Sequence, residues 1–129
     1  MKSKSASLIR LKKFQVDEKR RQVLQIETMV ADFERMAAEL DQQIDIEHKK
    51  TGISDVAHFA YSTFAKAAIT RRDNLLTSAG DMKGKLEAAQ DELAEAIEDL
   101  KKVELLDARE HQREKDEQQK REQAEFDEI

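Results

Sequence analysis

The sequence predicts an all-α fold: a long antiparallel two-helix coiled-coil hairpin whose second helix is longer and overhangs at its C-terminal end. Composition is the first reason, because the 129 residues include no Pro and only three Gly, and 40% of them are charged. A sheet would need more turn residues and β-branched runs. The second reason is the helical spacing of Leu, Ile, Val and Ala, which argues against disorder, the competing interpretation of so polar a chain. Burial must then come from a seam between helices.

Helix one is predicted over about residues 7–50. One heptad frame holds there for six repeats, and its a positions are all apolar, a pattern typical of coiled coils. These a positions are Ile9, Val16, Val23, Val30, Ala37 and Ile44. The d positions are mixed: Lys12, Lys19, Ile26, Phe33, Leu40 and Glu47.

The bend is predicted over about residues 51–62, where "KKTGISD" breaks the heptads. Gly52 is a natural residue to follow a helix C-terminus, and Ser54 or Asp55 can cap the next helix. Ser62 and Thr63 offer a second cap. Either a short turn of helix precedes the main second helix, which we favour, or helix two starts near Asp55.

Helix two is predicted over about residues 63–126, within a single hairpin domain spanning residues 1–129. Its a positions are Ala65, Arg72, Ala79, Leu86, Leu93 and Leu100, and its d positions are Ala68, Leu75, Met82, Ala89, Ala96 and Val103. With the turn centred near residues 56–57, facing residue numbers sum to about 113. Arg72 is therefore expected beside Asp41.

The seam of helix two stops after Leu106, because Asp107 and Glu110 take the next a and d positions. Helix one runs out of chain near Ser7, so nothing in the molecule is expected to cover helix two beyond about Leu106. About twenty residues then project by roughly 30 Å, at ~1.5 Å per residue. The sequence predicts an uncovered helical extension.

Charge is uneven along the chain. The net charge is −5, which disfavours nucleic acid as a partner. Residues 1–22 hold eight Lys/Arg and two acids, whereas residues 107–129 hold five Lys/Arg and nine acids. Two solvated faces that attract each other, and a charged end that docks on a partner, are both compatible with this distribution.

Two glycines, Gly80 and Gly84, fall on the outer face of helix two at a cost of about 1 kcal/mol each relative to Ala. Tolerated drift is one interpretation of these glycines. A bend of the helix, or close approach by a partner's backbone, is the other.

Residues that carry chemistry are scarce. The three His are scattered, none at the spacing of a metal-binding motif, and no phosphate-binding loop or nucleophile motif is present. We predict no catalytic, metal-binding or cofactor-binding residues and no enzymatic activity. No apolar run approaches the roughly 18 residues of a membrane span, and Cys is absent. The expectation is a soluble, cytoplasmic protein that does not insert into a membrane.

Three of the six aromatic residues crowd the bend: Phe59, Tyr61 and Phe64. A two-helix seam is too narrow to bury all three. They either plug the open end of the hairpin or form a hydrophobic docking patch for a partner.

The chain resembles the FliJ family of flagellar type III export over essentially its whole length. The resemblance rests on "LIRLKKFQVDEKRRQV", "FAKAAITRRDNL" and "LKKVELLDAREHQREKDEQQKREQAEFDEI", taken in order and spacing. It implies a cytoplasmic two-helix coiled coil, monomeric alone and peripheral at the membrane-bound flagellar base, similar to the central stalk subunit of rotary ATPases. Implied partners are the hexameric export ATPase, a membrane export gate protein and export chaperones.

The resemblance also implies roles for individual residues. The end bearing both termini would insert into the ATPase pore, with candidate ATPase-binding residues Leu8, Leu11, Lys12, Lys13, Phe14, Leu105, Leu106, Arg109, Arg113, Arg121 and Phe126. The candidate gate-facing residues are Phe59, Tyr61 and Phe64. Two rival functions remain at this stage: the equivalent stalk of a virulence-type secretion system, and a structural coiled coil that dimerises or scaffolds.

Overall fold

The structure, a computed structural model, describes residues 4–128, which form two helices and no strand. Helix α1 spans Lys4–Thr51 and helix α2 spans Thr63–Asp127, with 48 and 65 residues respectively. The predicted all-α hairpin is confirmed. Helix α1 ends where three basic side chains complement its dipole and Gly52 takes a left-handed φ of 74°, its N–H donating to the His48 carbonyl at 2.9 Å.

The bend contains two hydrogen-bonded turns. The N–H of His58 donates to the Asp55 carbonyl, and the N–H of Tyr61 donates to the His58 carbonyl, both at 3.0 Å. The Asp55 carboxylate accepts the Ala57 N–H at 2.9 Å. The expected short turn of helix ahead of α2 is therefore wrong, because side chains and single turns take up the backbone groups that a helix would have paired.

Helix α2 begins at Thr63 because Ser62 caps it. The Ser62 hydroxyl accepts the Ala65 N–H at 3.2 Å and donates to the Glu47 carboxylate of α1 at 3.1 Å. A serine that satisfies one of the free N–H groups at a helix start stabilises that start by about 1 kcal/mol. The same residue thus starts α2 and ties it to α1.

The chain divides into two compact units, of which one comprises residues 21–90. Its core is the predicted heptad seam, with the a positions of α1 packed on small residues of α2. The buried side chains are Val23, Val30, Ala37, Ile44, Ala65, Ala68, Ala79 and Ala89. Fully burying a valine or isoleucine side chain contributes about 1.5–3 kcal/mol, so the buried residues of this seam are the main source of stability.

Two ion pairs define the pairing within this unit. Arg72 contacts Asp41 and Lys83 contacts Glu34, each at 2.9 Å. The residue numbers of these pairs sum to 113 and 117, so the helices run antiparallel. The predicted juxtaposition of Arg72 and Asp41 is confirmed.

The other unit comprises Met1–Arg20 and Asp91–Ile129. Its α1 segment contributes the buried Val16 and half-buried Ile9, and its α2 segment contributes half-buried a and d residues from Leu93 to Asp107. Lys19 bonds Glu92 across the seam at 3.0 Å. Asp107 is the last half-buried residue, and every residue from 108 to 128 is exposed although helical through Asp127. The predicted overhang is confirmed as helix without burial, and we call residues 108–128 the overhang.

Candidate partner-binding surfaces

The described residues offer no assembled chemical centre. No group of three or more His, Cys, Asp or Glu residues within 4–128 could hold a metal ion. The three histidines each have a separate neighbour: His48 bonds Tyr61, His58 stacks on a phenylalanine, and His111 bonds the Asp107 carbonyl. Neither helix, over its described length, is long and apolar enough to cross a membrane. The candidate functional sites of the described residues are therefore surfaces that could bind a partner.

Arg72 has a structural task at its seam position. The hydrogen bonds that Arg72 donates to Asp41 and to Asp73 raise the pKa of Arg72 above its ordinary value. A polar residue at one a position specifies the register of a coiled coil at some cost in stability. Arg72 therefore selects the pairing in which Asp41 lies opposite.

The overhang is held by contacts within its own helix. Pairs of side chains three or four residues apart are bonded along its length, and such pairs stabilise a helix by about 0.2–0.5 kcal/mol each. The pairs are His111–Asp107, Gln112–Asp116, Arg113–Glu110, Gln118–Glu122, Arg121–Gln118 and Gln123–Asp127. Since α2 is already nucleated by the seam, the overhang only has to propagate it.

The candidate ATPase-binding residues lie on different sides of the two helices. Leu8 and Leu106 take g positions beside the seam, whereas Phe14, Leu105 and Phe126 take f positions on the outer face, and all five are exposed. Leu11 and the exposed Lys13 lie on either side of the outer face of α1, and Lys12 is half-buried in the seam. The structure thus does not bring all of the predicted residues into one patch.

One groove does gather part of the set. Leu106, Arg109 and Arg113 line it together with Glu110. Arg113 donates to the Glu110 carboxylate at 3.3 Å. Arg121 lies farther along the overhang, where it donates to Gln118.

The three aromatic residues of the bend do not form one patch either. Tyr61 is half-buried and lies edge-on to the His48 ring, with its hydroxyl 2.6 Å from Nε2. Phe59 is 97% exposed and stacks on His58 at a centroid distance of 4.7 Å. Tyr61 thus matches the plug interpretation, whereas Phe59 is open to a partner.

Phe64 belongs to a groove that the sequence analysis did not identify. Leu40 and Gln43 of α1 form one wall, and Ala67, Ala68 and Arg71 of α2 lie with Phe64 on the other. An adjoining groove shares Leu40, Gln43 and Arg71 and adds Met36, Glu39 and Leu75. The signal was available as the helical spacing of Met36, Leu40 and Gln43, but which residues of α2 lie across from them depends on the register.

Comparison with known proteins identifies one family. The model of the family described as flagellar FliJ protein matches residues 1–129, the whole chain. No curated protein and no solved structure matched the chain.

Proposed function

We propose that this chain, which belongs to the flagellar FliJ protein family and is therefore a component of flagellar type III protein export, is the stalk that binds and stimulates the hexameric export ATPase. It links that ATPase to the export gate in the membrane and to export chaperones. It works in the cytoplasm at the flagellar base, without enzymatic activity of its own. Membership of the flagellar family favours this function over the stalk of a virulence-type system.

The overhang is the observation that carries the proposal. A helix normally buries an apolar stripe, yet every residue from 108 to 128 is exposed. A slender helix without an adhesive apolar face is suited to entering the pore of a ring, because the ring completes its burial on all sides. The intrahelical pairs keep it in shape before it meets the ring.

The bend and the groove beside it are the proposed gate-facing surface. Phe59 and Phe64 present apolar area, and Arg71 lines the groove together with Phe64 without an ion-pair partner among residues 4–128. Exposed aromatic residues beside an arginine are the usual anchors of protein interfaces. Tyr61 would support this surface through its bond to His48.

ATP hydrolysis by the purified export ATPase, measured with and without the chain, tests the main proposal. Hexamer content is followed in the same samples, and we expect stimulation to track hexamer formation. A chain truncated after Leu106 should stay folded by circular dichroism yet lose the stimulation, while the control Leu76→Ala keeps it. Full stimulation by the truncated chain would contradict the stalk function.

Binding to the purified cytoplasmic region of the gate protein tests the second surface. Phe64→Ser should weaken this binding by roughly tenfold, as expected for an interface anchor worth over 1 kcal/mol. Leu76→Ser, at another exposed position of α2, is the matched control. Equal losses from the two variants would exclude the groove as the gate-facing surface.

A further inference from the structure

A second groove runs along one side of the unit formed by residues 1–20 and 91–129. Gln15 and Asp99 line the same cleft, so these two g positions face each other across the seam. One heptad farther toward the overhang, the g positions are Leu8 and Leu106. Because the pairing of two helices in a coiled coil repeats every heptad, Leu8 and Leu106 also face each other there.

These two leucines form an apolar floor with a basic rim. Leu8 and Leu106 are 41% and 62% exposed, and the neighbouring Leu11 is 50% exposed. The c positions that border the floor are otherwise basic. The terminal groove is thus defined by Leu8, Leu11, Leu106, Lys4, Lys102 and Arg109.

The cations of the rim are available for a partner. Lys4, Lys102 and Arg109 form no ion pair within residues 4–128, in contrast to Arg113, which is bonded to Glu110. Leaving three cations unpaired beside exposed leucines gives nothing to the folded chain itself. The combination of apolar centre and charged rim is that of a protein interface.

We propose that the terminal groove binds an acidic amphipathic helix of the export ATPase. This rests on the proposed function and adds the chemistry of the contact. Leu8 and Leu106 would cover the apolar stripe of the incoming helix, while carboxylates on its flanks pair with Lys102 and Arg109. A membrane or nucleic acid fits less well, because the adjoining residues 107–129 carry nine acids against five Lys/Arg and repel an extended anionic surface.

Reversing the charge of the rim residues distinguishes a specific contact at the terminal groove from a general attraction between oppositely charged proteins. The double variant K102E/R109E should weaken binding to the ATPase by at least about tenfold, since it places glutamates against the carboxylates of the partner and like charges repel. K85E/K101E is the matched control, with the same charge change at two exposed lysines of α2 outside the terminal groove and the overhang. Wild-type binding should also weaken as salt rises.

A second pair of variants, one test and one control, examines the apolar floor of the terminal groove. Leu106→Ala should weaken binding by about tenfold, corresponding to roughly 1–2 kcal/mol of lost apolar burial. Leu24→Ala, at a leucine that is 63% exposed against 62% for Leu106, should have no effect. Circular dichroism confirms that all variants are folded.

The outcomes distinguish this inference from the function on which it rests. Wild-type chain that fails to bind or stimulate the ATPase overturns the proposed function. Wild-type binding that K102E/R109E leaves intact, or that K85E/K101E weakens equally, overturns the terminal groove alone. Tight wild-type binding to anionic lipid vesicles that is lost in K102E/R109E, with ATPase binding unchanged, would replace the acidic helix by a membrane.

Discussion

The substitution Ile44→Ala tests whether the heptad seam is what stabilises the hairpin. Ile44 is 6% exposed at an a position of α1. The change removes three carbon atoms, which at ~0.8 kcal/mol each amounts to about 2.4 kcal/mol of burial. A residual cavity adds to this loss, and the better helix propensity of Ala returns about 0.4 kcal/mol. We expect a net loss of about 2–3 kcal/mol.

Equilibrium unfolding in urea, followed by circular dichroism, measures this loss. At about 4–8 °C per kcal/mol for small domains, the melting temperature should fall by roughly 10–20 °C. Leu24→Ala is the control, because Leu24 lies on the same helix and is 63% exposed. It should cost less than about 0.5 kcal/mol. Equal losses from the two variants would refute the reasoning, since the seam would then contribute no more than the solvated face.

Three smaller changes are expected. Asp41→Asn removes the ion pair with Arg72 and should cost no more than about 1 kcal/mol, a loss that disappears in ~1 M NaCl; a loss independent of salt in urea titrations would contradict it. Ser62→Ala removes the hydrogen bond to the Ala65 N–H and should lower the free energy of unfolding by about 1 kcal/mol. A melting temperature unchanged from wild type would show that this cap does not stabilise the helix. Gly84→Ala should raise stability by about 1 kcal/mol, because a Cβ there meets no atom within 4 Å; a lower melting temperature would disprove it.

The sequence by itself determined the two helices, their antiparallel pairing and the place where burial stops. Every a and d residue of the two predicted frames is buried or half-buried. The register was predictable to within a few residues, because facing numbers were expected to sum to about 113 and the Arg72–Asp41 and Lys83–Glu34 pairs sum to 113 and 117. Such features follow from periodicity along one chain, which the sequence records directly.

The bend and the composition of the surfaces were decided only by the tertiary structure. Asp55 and Ser62 are both plausible caps in sequence, and the contact of Ser62 with Glu47 on the other helix selects one of them. The sequence also identified candidate binding residues from their residue types. Whether Leu106 shares a groove with Leu8, or Phe64 with Leu40, depends on which residue of the other helix lies opposite. Grooves between helices are made by residues far apart in the chain, so their composition requires the pairing as well as the sequence.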